Sequence, residues 1–97
     1  MGELGFSWDS KKARSNARKH GVSFEEAQSV FSDENGLLLD DPDHSEAEER
    51  YLLLGLSSSL RILVVSHTLP DEDTIRIISA READASESQQ YLERLGK

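Results

Sequence analysis

No cysteine occurs in the chain, which removes disulfides, Cys-ligated zinc and thiol catalysis together. No apolar run approaches the ~20 residues of a membrane span. The opening MGELGFSWD lacks the basic-then-apolar pattern of a secretion signal, so a cytoplasmic protein is expected. There is no internal repeat, linker or low-complexity run, and 97 residues allow one domain, spanning 1-97, with one modest core. Positive charge is scarce as well: 11 Lys and Arg stand against 19 Asp and Glu, a net charge of -8. That balance argues against a protein that coats nucleic acid through bulk electrostatics.

The charge is unevenly spread, however. Residues 1–20 carry five Lys or Arg against two acids, residues 21–50 one against ten, and residues 51–97 five against seven. A basic N-terminal helix can therefore form a local positive face on an acidic protein, and the acidic middle segment suits a basic protein partner.

What is present is dominated by the stretch from Arg61 to Arg81. Ile62–Ser66 and Thr74–Ala80 are rich in β-branched residues and flank Pro70-Asp71-Glu72-Asp73, which predicts a β-hairpin. Both halves are apolar on both pleat faces, the pattern of inner strands covered on two sides. Arg61, His67, Arg76 and Arg81 interrupt this pattern. If Ser66–Thr68 lie opposite Thr74–Arg76, His67 and Arg76 belong to the turn end and Arg61 and Arg81 to the other. Six residues of strand span about 20 Å, a distance that a polyanion can bridge through repeated charge-assisted contacts. The plainer reading is that these arginines reach solvent or pair with carboxylates.

Around the hairpin, Phe6–Trp8 suits an edge strand, and Asp9 or Ser10 caps a basic helix running to His20, with Gly21 as its stop. Lys19 and His20 sit in its last turn, where the helix dipole favours cations. Ser23-Phe24-Glu25-Glu26 reads as a capping box opening a second helix, with Phe24, Ala27, Val30 and Phe31 as its apolar stripe. Short strands are expected at Gly36–Asp41 and Tyr51–Leu56, with Gly55 marking a bulge or a close backbone approach. Leu56 paired with Arg61 would set Arg50 opposite His67. Asp40-Asp41-Pro42-Asp43-His44-Ser45 superficially suits a hard cation, but it lacks the glycine and distal glutamate of a calcium site, and no metal is expected. A final helix over Ser86–Leu95, capped by Ser86, covers the sheet or receives a partner. Leu53, Ile62, Val64 and Ile77 are expected in the core.

Taken together, Trp8-Asp9, Asn16 with Lys19-His20-Gly21-Val22, Asp43-His44-Ser45 with Glu49-Arg50, and Ile77-Ile78-Ser79-Ala80-Arg81 resemble the BrnT family of toxins over nearly the whole chain. The resemblance implies an α+β, RelE-like fold with two N-terminal helices, an antiparallel sheet of about four strands and a C-terminal helix. It implies a metal-independent endoribonuclease of a type II toxin–antitoxin system, without a cofactor, that cleaves RNA and inhibits translation. The implied partner is a basic DNA-binding antitoxin of ribbon-helix-helix type. On this reading His67 transfers a proton and Arg76 and Arg81 hold the phosphate, while Lys19, His20, Arg50 and Arg61 bind RNA and Trp8 stacks a base. The alternative is a non-catalytic module that retains the fold and docks an antitoxin or regulator.

Overall fold

The switch from helical to β-branched patterning after Gly36, and back beyond Ala83, is the frame on which the molecule is built. A computed structural model describes residues 5–41 and 49–96. Strand β1 (Gly5–Ser7) leads into helix α1 (Ser10–His20), then helix α2 (Phe24–Ser29) and a 3-10 turn (Val30–Ser32). Strands β2 (Leu37–Asp40), β3 (Tyr51–Leu56), β4 (Ile62–Asp71) and β5 (Thr74–Glu82) follow, and helix α3 (Ala85–Leu95) closes the chain.

The five strands form one sheet in the order β1-β5-β4-β3-β2. All neighbours are antiparallel except β1, which runs parallel to β5. The sheet therefore departs from the expected four antiparallel strands preceded by two helices. A three-residue strand comes before the helices and adds a parallel edge. Such short edges carry too little periodicity to announce their partner.

Helix ends follow local chemistry. Asp9 accepts from the N–H of Lys11 at 2.8 Å, and Gly21 takes φ 69° at the other end of α1. Ser23 caps α2 by accepting from Glu26 N–H. Helix α3 is capped by Asp84 in a full capping box with Glu87, earlier in the chain than the expected Ser86 cap.

Each sheet face has its own core. Leu63, Val65 and Ile77 pack with Val22, Phe24, Ala27 and Val30 beneath α1 and α2, and Leu53 joins them from β3. Leu54 and Val64 pack on the opposite face with Tyr91 of α3, flanked by Leu52, Leu56 and Ile62. Asp33 ties the layers together, accepting from Leu56 N–H at 2.8 Å and from the Tyr91 hydroxyl. Burial, and secondarily this carboxylate, push the Tyr91 phenol up to about 12.

Gly55 is where the turn after α2 crosses β3. A Cβ there would stand 2.9 Å from Val30 Cγ1 and 3.2 Å from Asp33 Oδ2, so the close approach anticipated at this glycine is present, without a bulge in the β3–β4 ladder. Gly55→Ala is expected to destabilise the fold by about 1–3 kcal/mol through overpacking, read as a lower urea midpoint at unchanged slope.

Candidate functional site

Register decides which charged side chains can meet. Ser66 pairs with Ser79, yet His67 pairs with Ile77, so Ile78 is an extra residue in β5. This bulge brings Arg76 and Arg81, five residues apart, onto one sheet face: Arg81 lies opposite Val64 and Arg76 opposite Thr68. His67 and Ile77 point to the other face, under the helices. The expected constellation of His67 with Arg76 and Arg81 is thus divided by the sheet. The hairpin pairing expected from sequence is offset, because β4 continues to Asp71 before the two-residue turn.

His67 is 2 % exposed, with its ring 4.9 Å from that of Phe31 in an edge arrangement and 6.0 Å from that of Tyr51. Its Nδ1–H donates to the Val65 carbonyl at 3.2 Å. Burial holds the imidazole below its ordinary pKa, opposed in part by that bond, so it stays neutral in the fold. A depressed folded value means that its stabilising contribution is present above the unfolded pKa of about 6.5 and is lost as pH falls below it. His67→Gln, neutral at every pH, is expected to flatten the fall in stability between about pH 6.5 and 5. Urea midpoints across that window check it.

Three further candidates are engaged structurally. Arg61 Nε donates to Glu26 Oε2 at 3.0 Å and Nη2 to the Gly21 carbonyl, so it fastens α2 and the end of α1 to the start of β4. Arg61 holds the Glu26 carboxyl below its usual range, and this ion pair engages the guanidinium expected to meet RNA. Arg81 forms a two-pronged pair with Glu87, at 2.8 and 2.9 Å, and so docks the first turn of α3. Trp8 meets Phe24 edge-on at 5.8 Å and lines a recess with Arg14 and Glu25, on another flank of α1 from Lys19. Its packing fits a core role better than base stacking.

The remaining cations converge elsewhere. Strand β1 pairs with β5 only at Thr74–Arg76, leaving the later edge of β5 to α1. Asn16 occupies that edge like a missing strand: its Nδ2 donates to the Ala80 carbonyl at 2.8 Å and to that of Val22 at 3.0 Å, while Oδ1 accepts from Ala80 N–H at 3.0 Å. Next to this clamp, Lys12, Ser15, Lys19 and His20 line an open groove with Ile78 and Ser79 of β5. All five Lys and Arg of α1 are exposed, and the helix contains no acid. Ser79 shares its sheet face with Arg76 and Arg81, so the helical groove and the strand arginines border one surface. Among the described residues no carboxylate pairs with Arg76. Beside it, Thr68 is 1 % exposed and its hydroxyl has no partner among the described residues. Arg50 is half-buried just before β3, where its carbonyl accepts from Asp41 N–H, and it precedes the Tyr51–His67 pair by one residue.

Sequence reasoning finds Lys19 and His20 but passes over Lys12 and Ser79. The spacing Lys12, Ser15, Asn16, Lys19 is the i, i+3, i+4, i+7 signature of a single helix face, and it is the signal that could have found Lys12. Of the acidic segment considered for a hard cation, residues 42–45 lie outside the described residues. Among those described, no group of His, Asp and Glu is arranged to hold a metal ion. No helix among them is long and apolar enough to cross a membrane.

A five-stranded mixed sheet with a basic helix laid along the β5 edge defines a small α+β protein. The profile of the family described as ribonuclease toxin, BrnT, of type II toxin-antitoxin system matches residues 8–87, and the chain belongs to that family. The fold is similar to the 1.1 Å crystal structure of the Brucella abortus ribonuclease toxin BrnT, with a TM-score of 0.65, 22 % identity, and coverage of 84 % of this chain and 97 % of that one. No curated protein matches the chain significantly in sequence.

Proposed function

We propose that this toxin is a metal-independent endoribonuclease whose RNA lies along the α1–β5 edge, with Lys12 and Lys19 holding phosphates and His20 moving protons. The observation that carries this is the groove itself: two lysines and an accessible imidazole converge on the one side of α1 that faces the open strand edge. A proton-transferring imidazole must lie within reach of substrate, which favours exposed His20 over buried His67.

In this reading a base removes the 2′-hydroxyl proton, O2′ attacks phosphorus, and an acid protonates the departing 5′-oxygen. The products are a 2′,3′-cyclic phosphate and a 5′-hydroxyl. Lysine and arginine stabilise the charge that builds on the phosphorane oxygens, the task a metal would otherwise perform. Arg76 extends the cationic surface along the strand. Arg81 can join only by loosening its hold on Glu87.

The antitoxin in this reading is a basic, DNA-binding protein of ribbon-helix-helix type, drawn by the acidic 21–50 segment, and RNA cleavage is the route to translational arrest. The test is incubation of the purified protein with single-stranded RNA in excess EDTA. Undiminished cleavage leaving cyclic phosphate ends is expected. Activity abolished by chelation and restored by a divalent ion would refute metal independence, and no cleavage under any condition would favour a non-catalytic docking module.

A further inference from the structure

Strand β2 ends the sheet on the side away from β1, and its outer edge has no neighbour among the described residues. Its sequence does not suit an edge. Leu38 pairs with Leu53 on the helix-covered face, while Leu37 and Leu39 pair with Leu54 and Leu52 on the α3 face, so the strand is apolar on both sides. That is the pattern of an inner strand, and natural edges are ordinarily protected by charge, proline or a bulge. Leu38 is nonetheless 57 % exposed and Leu39 36 %. Leu37 also lines a shallow recess with Gln90, Glu93 and Arg94 of α3, directly beside this edge.

We infer that β2 is completed by a strand of the antitoxin, an extended segment with apolar residues facing Leu38 and Leu39 and Lys or Arg at its ends. The inference rests on the chain being the toxin of a toxin–antitoxin pair. Charge selects this occupant over a second copy of the chain. Exposed Glu34 stands just before β2 and exposed Asp40 at its end. Two copies paired antiparallel through β2 would bring Asp40 of each towards Glu34 of the other, whereas a basic strand meets a carboxylate at both ends. Main-chain bonds along the strand supply affinity, and the recess beside Leu37 accepts one partner side chain.

The experiment uses the full-length toxin and the antitoxin of its own pair. Amide hydrogen exchange across 37–40 is followed with and without antitoxin, and binding is measured for the parent and for Leu38→Lys/Leu39→Lys, whose lysines protect the edge and repel a basic partner. Slower exchange in β2 on binding and at least a tenfold loss of affinity in the variant are expected. A tight complex that leaves exchange at 37–40 unchanged, or a variant that binds as the parent does, overturns the surface while sparing the partner. Failure of the parent to bind the antitoxin at all overturns the toxin reading beneath it. Self-association of the free parent that the lysines abolish would assign the edge to a second copy, against the inference.

Discussion

Lys12→Ala/Lys19→Ala is expected to fold as the parent does and to cleave single-stranded RNA more slowly by about a hundredfold or more, the scale of losing a donor to the transition state. Both side chains are exposed and neither makes an ion pair among the described residues, so their loss costs the fold little. Both border the same groove beside Ser79, two helical turns apart. Each lysine that neutralises a phosphate of a single strand adds about 0.7 to the log–log salt slope of binding, so removing the pair should flatten that slope by about 1.4. Cleavage rates and RNA affinity measured across a salt series check both numbers. A general loss of positive charge acting at a distance would lower affinity without changing the slope by this amount.

The largest structural effect is expected at Asn16. Its amide satisfies both backbone groups of Ala80 and the Val22 carbonyl, and it is buried where α1 meets the strand edge. Asn16→Ala leaves those groups without partners, at about 1–3 kcal/mol for each group not rescued by water. A loss of about 3 kcal/mol or more follows, which for a domain of this size lowers Tm by roughly 12 °C or more. Because the same clamp sets the spacing between Lys19 and Ser79, whatever folded protein remains should also cleave poorly. Thermal unfolding of Asn16→Ala beside Ser15→Ala separates the loss of the clamp from that of a neighbouring side chain.

Much of the architecture was legible because it is written in local chemistry. Asp9, Ser23 and Gly21 act as the caps and stop that their types imply, and the hairpin lies where its β-branched halves place it. The arrangement of the site was less legible, for reasons that can be named. One inserted residue, Ile78, turns Arg76 onto the face of Arg81, and nothing in the run of apolar residues around it announces a bulge. The hairpin turn tightens to Glu72 and Asp73, so His67 faces Ile77 where the expected pairing set Ile75, and its place on the helix side follows from alternation with Leu63 and Val65 along β4. The parallel pairing of β1 with β5 joins residues about 70 positions apart, beyond the reach of any local pattern. Arg61 and Arg81 read as free cations because their carboxylate partners, Glu26 and Glu87, sit on other elements. The plainer reading of these arginines, pairing with carboxylates, holds for these two.

The central claim is that the chemistry runs at the exposed α1–β5 edge and not beneath the helices. Cleavage of one single-stranded RNA in EDTA by His20→Ala and His67→Gln, each first shown to be folded, tests it most directly. The expected result is a loss of about a hundredfold or more in His20→Ala and a rate close to the parent's in His67→Gln. The reverse order, with His20→Ala active and His67→Gln folded but inert, would contradict it.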